Sequence, residues 1–436
     1  MESVTEIARN LEHLVEEIKV RVAGSEAERS AAEFMAGRFR EYGAARITIE
    51  EFPIVRRRVE KERLRLFAAG RWREYPCLLL GGAPGTGGRE VAAPTIFFYA
   101  ASDYQRESLD FLAGRAVIHY GIGIAAAEYR RLIAAKPAFI LFVDHRYPGG
   151  TPTSDGLIPA YVRRYGAVPS VTVAFDQVWE WDALGVERAA LTVCGGGEPG
   201  TSCNVIADFP GADSGVVVYT GSHLDTAAEC PGADDNASGM VLQLELARLL
   251  GKRRLNCSLR HIAFGCEEQL SVGSAAYARR HREEIASCGV FMLNFDSCGS
   301  RLGWNEHTYV ADPALRGEFE SRLLRRGITA TGSFRPLPFI DLLPFNACGV
   351  PGMWIRRTNC AAGKFYHHRP GDTIDKISCA VIAAEARAAA DFVEEVLSRE
   401  PRRFSLPGEL AGEATSIWNE WFGGFEDGEP EITTQA

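Results

Sequence analysis

The chain has 436 residues, of which 46% are hydrophobic and 24% charged, a composition typical of a globular protein with one to three domains. Its formal net charge of -9 argues against nucleic acid or an anionic membrane surface as the main partner. No apolar run approaches the roughly 18 residues of a membrane-spanning helix, and the acidic start lacks the features of a secretory signal. The 11 cysteines are scattered without a C-x-x-C pair, which predicts buried thiols in a reducing, cytoplasmic compartment.

The first elements are two predicted helices. Apolar residues recur at helical spacing over residues 4–20. A second helix follows Ser25, because Ser25 and Glu28 fit a capping box and Gly43 suits the end of a helix. The next segment, ARITIEEFPI, alternates apolar and polar residues like a strand.

Residues 57–195 differ in character from the rest of the chain. Short strands such as TIFFYA and AFILFVD are separated by turns rich in glycine and proline, which predicts an inserted strand-rich domain. One stretch, 117–144, has a G-x-G-x-x-A motif and Asp144 at the distance of a ribose contact, as in a nicotinamide site. Because only one such β-α-β unit is present, we favour an ordinary strand–helix–strand segment.

From Asn204 onward, strands alternate with helices, which predicts an α/β fold with a mainly parallel, mixed sheet covered by helices on both faces. We therefore expect a catalytic domain from residues 1–56 and 196–405, the inserted domain at 57–195, and a C-terminal tail at 406–436. The aromatic stretch IWNEWFGGF in the tail is expected to pack on a domain or on a second subunit.

Polar residues stand at the ends of successive predicted strands in this second half. Open parallel sheets build their sites outside the carboxyl ends of their strands. A single polar strand end is ordinary, but several in register favour a functional site. These ends are GSHLD with His223 and Asp225, CEE with Glu267 and Glu268, NFD with Asp296, and YHHRPGDT with His367, His368 and Asp372.

Imidazole and carboxylate ligands suit zinc, or the similar cobalt and manganese ions. A pair of ions about 3.5–4 Å apart needs a bridging carboxylate, and Asp234 on the turn PGADDNASG is the natural candidate. His223 with Asp296 would complete one position, and Glu268 with His368 the other. Two divalent ions, the ligand carboxylates and one hydroxide then sum to zero charge.

Glu267 and Glu268 are adjacent, and neighbours in an extended segment point to opposite sides. One glutamate can therefore bind metal while the other faces the reacting water as a general base. Asp235 has a more modest interpretation, as a residue that sets the turn, caps the helix or supports its neighbours.

A family resemblance adds to these residues, and several motifs carry it: GSEAERSAAEFMAGRFREYG, SCNVIADFPG, VVVYTGSHLDT, PGADDNASG, AFGCEEQLSVGSAAYA, LNFDSCG and HHRPGDTID. Over about 1–56 and 196–400 the chain resembles the co-catalytic zinc exopeptidases, which include bacterial leucyl aminopeptidases, glutamate carboxypeptidase and the transferrin receptor. The resemblance implies a zinc-exopeptidase architecture and a site in which Asp234 bridges the two ions. It implies that Glu267 is the base, that Asp225 supports the histidine ligand, and that the remaining ligands are His223, Glu268, Asp296 and His368.

Three features are less firmly placed by the resemblance. Several relatives have a tyrosine before the last histidine ligand, whereas this chain has His367 there and Tyr366 one residue earlier, so the oxyanion partner stays open between them. The stretch PFIDLLPF matches the loop before the last strand and puts Asp341 near the substrate. The inserted segment resembles a protease-associated domain through DFLAGRAVIHYG and GLIPAYVRRYGAVPSVTVAF.

The predicted function is a two-zinc aminopeptidase that removes amino-terminal residues from peptides, with no nucleic-acid or membrane partner and with homo-oligomerisation left open. The alternatives are a carboxypeptidase or amidohydrolase on the same scaffold, a glutaminyl cyclase with a single zinc, and an inactive binding module. Aminoacylase-type amidohydrolases insert a lid domain before the last histidine. The 100 residues between Glu268 and His368 leave no room for one.

Overall fold

The computed structural model describes residues 2–121, 124–146, 148–358 and 365–425. Its strands are β1 (Arg46–Ala68), β2 (Arg71–Tyr75), β3 (Cys77–Leu79), β4 (Val91–Tyr99), β5 (Ala116–Tyr120), β6 (Phe139–Val143), β7 (Ser170–Val173), β8 (Arg188–Phe209), β9 (Asp213–His223), β10 (Cys257–Phe264), β11 (Gly289–Phe295), β12 (Trp304–Val310), β13 (Ala330–Phe334), β14 (Gly352–Ile355) and β15 (Arg357–Thr358).

The helices are α1 (Glu2–Glu12), α2 (Glu26–Tyr42), α3 (Ala100–Asp103), α4 (Ala126–Ala134), α5 (Pro159–Tyr165), α6 (Phe175–Leu184), α7 (Gly239–Leu250), α8 (Val272–Arg280), α9 (Arg282–Cys288), α10 (Ala314–Arg325), α11 (Leu343–Ala347), α12 (Cys379–Phe392) and α13 (Gly408–Ile417). Short 3-10 or π-helical turns lie at His13–Ile18, Asp110–Leu112, Ala233–Ser238, Ile374–Lys376, Val393–Leu397 and Trp418–Phe422. None of the described helices is long and apolar enough to cross a lipid bilayer.

The chain folds into two compact units. The first unit is drawn from Met1–Ile54, Gly200–Gly363 and Pro370–Ile432, and the second from Val55–Pro199 with the short segment Lys364–Arg369. Strands β1 and β8 each run across the boundary between these ranges. The interpretation of the two units as a catalytic domain and a protease-associated domain stays a prediction.

Local signals in the sequence account for the ends of α2. The Ser25 hydroxyl accepts the N–H of Glu28, and Gly43 adopts a left-handed φ of 106° just after the last turn. Both ends agree with the predicted helix. The Glu28 carboxylate accepts the Gly24 N–H instead of the Ser25 N–H, so only the Ser25 half of the predicted capping box forms.

The first unit is built on a mixed sheet in the order β13-β12-β14-β11-β9-β10, with the end of β8 beside β10. Strand β9 pairs in parallel with both β10 and β11, and β11 pairs in parallel with β14. Strands β8 and β12 each add an antiparallel pairing. The predicted mixed, mainly parallel sheet is confirmed.

Helices cover both faces of this sheet. Along β9, Val218 belongs to one hydrophobic cluster, while its neighbours Val217 and Tyr219 belong to another, because successive strand residues point to opposite faces. The first cluster packs residues of α1, α2, α7, α10 and α12, and the second packs residues of α8, α9 and α11. Gly239 lets the start of α7 approach the sheet, since a Cβ there would lie 2.3 Å from the Phe295 carbonyl oxygen.

The second unit has a parallel core of β4, β5, β6 and β7, with antiparallel neighbours at β8 and β3. The segment predicted to be strand-rich also contains four helices. Of these, α4 lies within the stretch 117–144 that was expected to be strand–helix–strand, and α3, α5 and α6 are too short to give a clear helical period in the sequence. Asp144 follows β6, and its carboxylate is engaged by Arg146 at 2.8 and 3.0 Å. The nicotinamide motif itself falls partly on residues 122–123, outside the described residues.

The C-terminal aromatic residues pack on the first unit. Trp418 is 1% exposed and lies in a cluster with Ala275 and Leu343. The Arg279 guanidinium lies 4.9 Å from the centre of the Trp418 ring, and Phe422 stacks on the same ring. The tail predicted to begin at residue 406 thus contains α13 and a docked aromatic turn, and its last part, 426–436, lies outside the described residues.

Candidate metal centre

Three neighbouring strands bring polar residues to one edge of the first unit's sheet. Strand β9 ends at His223, and β10 places Phe264 directly beside it. Glu267 and Glu268 follow β10 closely along the chain, and Asp296 comes directly after β11. Because β10 and β11 flank β9 in parallel, these side chains leave the sheet at the same edge.

His223 is the centre of this group and is 1% exposed. Its Nε2 lies 3.1 Å from Asp235 Oδ1 and 3.7 Å from Asp296 Oδ1. One ligating atom from each of the three residues lies within 4.8 Å of the other two. An imidazole nitrogen with two carboxylate oxygens is a donor set that zinc prefers, so this buried triad fits a divalent ion.

Asp234, the predicted bridging carboxylate, is not a member of the triad. Its Oδ1 accepts the Gly299 N–H at 2.7 Å, and its Oδ2 is buried with no hydrogen-bond partner among the described residues. Asp235 has extended backbone angles, φ -109° and ψ 89°, and adjacent side chains in such a segment point to opposite sides. The geometry places Asp235, expected to set the turn, cap the helix or support its neighbours, beside His223. Which of the two aspartates bridges the metal ions stays a prediction.

Asp225 connects the histidine with the two glutamates. Its carboxylate accepts the N–H of Glu267 at 2.9 Å and the N–H of Glu268 at 3.2 Å. The oxygen that accepts the Glu267 N–H, Asp225 Oδ1, also lies 3.6 Å from His223 Nδ1, the nitrogen that faces away from the triad. The Asp225 backbone carbonyl oxygen lies 3.1 Å from the same nitrogen. A carboxylate behind a ligating imidazole orients the ring and raises its basicity, and this supporting role of Asp225 stays a prediction.

The two adjacent glutamates have different partners. Glu267 Oε1 accepts the Ser271 hydroxyl at 3.0 Å, while its Oε2 lies 3.9 Å from His223 Nε2. Glu268 Oε1 accepts the Ala227 N–H at 2.9 Å, and Glu268 is not part of the His223 triad. Glu267 is thus the glutamate nearer to the imidazole.

Two further buried carboxylates border the triad. Asp372 accepts the backbone N–H groups of Asp234 and Asp235 at 3.0 Å each, and so fixes the turn that carries them. Asp341, which the sequence put near the substrate, is 2% exposed, and its Oδ1 has no hydrogen-bond partner among the described residues. Burial raises the pKa of Asp341 to about 7, against the opposing influence of His223.

Tyr366, His367 and His368 lie on the short segment that belongs to the second unit. The two histidine rings stack with their centres 3.7 Å apart. The His368 carbonyl accepts the Ser154 N–H at 3.1 Å. The roles of His368 as a ligand and of His367 or Tyr366 as an oxyanion partner stay predictions.

The triad concentrates negative charge in a space that excludes water. Burial raises the pKa of Asp234 to about 7 and raises the pKa of Glu267 well above the usual range of a carboxyl group. Burial opposes the charge of His223, yet the neighbouring carboxylates of Asp225, Asp235 and Asp296 raise its pKa well above the ordinary value. A cation among these groups would relieve their repulsion and compete with their protons.

Two buried ionisable residues near the site were missed by the sequence reasoning. Glu28 accepts the Ser202 hydroxyl at 2.7 Å and the Cys266 N–H at 3.1 Å, just before the glutamate pair. Arg21 is fully buried and binds the segment that follows His223. The capping pattern identified Glu28 only as a helix-start residue, and no local pattern marks Arg21.

Comparison with known proteins begins with the fold. The zinc aminopeptidase BSAP of Bacillus subtilis, a solved structure, superposes with a TM-score of 0.72 at 21% identity, over 89% of this chain and 94% of that chain. The architecture is therefore the zinc-exopeptidase fold predicted from the sequence. Residues 204–393 match the model of Peptidase family M28.

Curated relatives give a similar result over shorter segments. An aminopeptidase of Pseudomonas aeruginosa is 33% identical over 135 residues, which are 31% of this chain and 25% of that protein. The chain thus spans about a quarter of the length of that relative. Aminopeptidase YwaD of Bacillus subtilis is 23% identical over 438 aligned positions, covering 94% of this chain and 88% of that protein.

Proposed function

We propose that the chain is a metal-dependent aminopeptidase that hydrolyses the first peptide bond of a peptide with a free amino end. The observation that carries the proposal is the buried triad of His223, Asp235 and Asp296, whose ligating atoms lie within 4.8 Å of one another. Relatives named aminopeptidases and a structural neighbour named a zinc aminopeptidase support it.

The proposed metal content is two zinc ions, with cobalt or manganese as substitutes. His223, Asp235 and Asp296 would hold the first ion. Asp235, in place of the predicted Asp234, would hold the second ion together with Glu268 and His368. Bound zinc would polarise the scissile carbonyl and lower the pKa of the attacking water.

Glu267 is the proposed general base. Its Oε2 faces the imidazole of the triad at 3.9 Å, and its Oε1 is held by the Ser271 hydroxyl. Glu267 accepts a proton from the attacking water and passes it to the leaving amine nitrogen, so one carboxyl group serves both halves of the reaction. The Asp225 carboxylate holds the His223 imidazole and the Glu267 backbone in place relative to each other.

The acidic character of the site favours a free amino group as the anchor of the substrate. Asp341 and Glu267 are buried carboxyl groups near His223 and can interact with an ammonium group. A carboxypeptidase would instead need a positively charged anchor for the carboxylate end of its substrate. A carboxypeptidase, an amidohydrolase and an inactive binding module are the alternatives that the experiment must separate.

Two further predictions accompany this proposal. The second unit, which includes most of residues 57–195, is proposed to be a protease-associated domain. The cytoplasmic location rests on the cysteines, which are free thiols wherever the structure describes them. Homo-oligomerisation stays open.

The test is a substrate panel measured with zinc present and after chelation: aminoacyl amides and anilides, the same compounds with acetylated amino ends, and peptides blocked only at the carboxyl end. We expect hydrolysis of substrates with a free amino group, loss of activity on chelation and recovery with zinc. Preference for acetylated substrates would reject the aminopeptidase assignment, and activity that survives complete metal removal would reject metal dependence.

A further inference from the structure

Arg21 is fully buried between α1 and α2, in the linker that precedes Ser25. Every hydrogen bond of its guanidinium goes to a backbone carbonyl oxygen. Nε donates to Leu224 at 2.9 Å, Nη1 donates to Lys19 at 2.8 Å and to Leu14 and Pro231 at 3.2 Å, and Nη2 donates to Gly232 at 3.2 Å.

These contacts join the two ends of one segment, the 224–232 turn, which leads from His223 to the Asp234–Asp235 pair. The guanidinium binds Leu224 at the start of the turn and Gly232 at its end. The Arg21 backbone adds a reciprocal pair with Thr226, whose hydroxyl accepts the Arg21 N–H at 3.0 Å. Arg21 therefore fixes the distance between His223, at the end of β9, and Asp235, whose carboxylate contacts the His223 imidazole.

The end of the turn at Gly232 is tightly packed. Gly232 has a left-handed φ of 62°, and a Cβ on it would lie 2.3 Å from the Asp235 carbonyl oxygen. The Arg21 Nη2 bond therefore holds a glycine that packs directly on the backbone of Asp235. A small shift of this end would move the Asp235 carboxylate away from His223.

The buried charge of Arg21 has no carboxylate within ion-pair distance among the described residues. A buried guanidinium that is bound only to neutral carbonyls is costly to place, and a lysine presents one compact donor group where arginine presents a planar fork of five N–H groups. The fork is what allows one side chain to reach both ends of the turn.

We propose that Arg21 is a positioning residue for the metal centre, acting as a clamp that holds the 224–232 turn so that His223 and Asp235 face the same ion. The inference rests on the proposed metal site. It assigns to the amino-terminal segment a part in building a centre whose other residues lie more than 200 positions later in the chain.

The test compares Arg21→Lys, which keeps the charge but cannot span the turn, with Arg322→Lys as the matched control. Arg322 is 7% exposed in the same unit and also donates to a backbone carbonyl and to carboxylates, but on α10. Two quantities are measured on the full chain below the melting temperature of every variant. They are the zinc dissociation constant, by competition with a chromophoric chelator, and amide hydrogen exchange of residues 224–237 in the metal-free protein.

We expect Arg21→Lys to weaken zinc binding at least tenfold and to speed exchange in 224–237, whereas Arg322→Lys changes neither. Thr226→Val removes the hydroxyl that accepts the Arg21 N–H in the same turn. It should also weaken zinc binding and speed exchange, but by less than Arg21→Lys. This variant keeps the test decisive if Arg21→Lys fails to fold. Unchanged exchange in 224–237 in both turn variants overturns the clamp, as does an equal loss of zinc affinity in Arg322→Lys. A wild-type chain that binds no zinc overturns the proposed function, while the exchange measurement still decides on the clamp.

Discussion

Asp234 and Asp235 are neighbours in the chain, yet their carboxylates have different surroundings. Asp235 Oδ1 lies 3.1 Å from His223 Nε2, whereas Asp234 Oδ1 accepts the Gly299 N–H. Two identical residue types side by side carry no information about which one turns toward the imidazole. That choice depends on the backbone of the turn, which Asp372 fixes through the N–H groups of both residues.

This difference gives a prediction with a built-in control. Asp235→Asn removes a charged ligand from the triad and is expected to lose most bound zinc. Asp234→Asn keeps an oxygen for the Gly299 N–H and should retain zinc, although a buried amide group without an acceptor lowers its stability. Metal analysis after gel filtration of the two variants checks this. Retention of zinc by Asp235→Asn and its loss by Asp234→Asn would reverse our assignment.

The two glutamates give a second prediction. Glu267→Gln keeps the shape of the side chain but cannot accept a proton, so turnover should fall by about 10²–10⁴ while zinc content stays at the wild-type level. Glu268→Gln should instead lower the zinc content, with part of the activity restored by excess zinc. Turnover is compared at measured metal content. A Glu267→Gln protein with near wild-type turnover would place the general base elsewhere.

At the scale of elements, the sequence was most informative where a pattern is local. The helix α2 ends where its capping residues predict, and the strand GVVVYTGSH is β9. Arg21 could not be found in this way, because its partners are carbonyl groups up to 211 residues away and carbonyls leave no signature in a sequence. Of the short helices of the second unit, α4 lies in the segment expected to be strand–helix–strand, whereas α3, α5 and α6 were missed because they contain too few turns to show a period.

The docked aromatic turn at the C-terminal end of the first unit gives a third prediction. Trp418→Ala removes a ring that is 1% exposed and is expected to lower the free energy of unfolding by about 3–5 kcal/mol. Trp304→Ala is the control, because that ring is 54% exposed and its loss should cost less than about 1 kcal/mol. Urea unfolding measures both. Equal, small effects would show that the turn does not contribute to the core.

At the scale of the whole molecule, buried neutral histidines couple stability to pH. Burial lowers the pKa of His307 from 6.5 to about 3, and the charge of Arg356 acts in the same direction. Between these values the unfolded chain binds a proton that the folded chain does not, so stability falls as the pH drops from 6.5 toward 3. This one residue should contribute a slope on the order of 1 kcal/mol per pH unit.

His307→Gln is therefore expected to flatten the dependence of the free energy of unfolding on pH below 6.5. Tyr309→Phe is the control, because it removes the hydroxyl 3.4 Å from His307 Nδ1 but leaves the imidazole to titrate. Chemical unfolding of metal-free protein at a series of pH values gives the slopes. The account of His307 fails if His307→Gln keeps the wild-type slope.

The central claim is that His223, Asp235 and Asp296 hold a zinc ion, and anomalous diffraction at the zinc absorption edge tests it most directly. Crystals grown with zinc should show an anomalous peak within ligand distance of His223 Nε2 and of both carboxylates, and Asp235→Asn crystals should lose that peak. A wild-type map without a peak at the triad, or with zinc bound by Asp234 instead, would contradict the account.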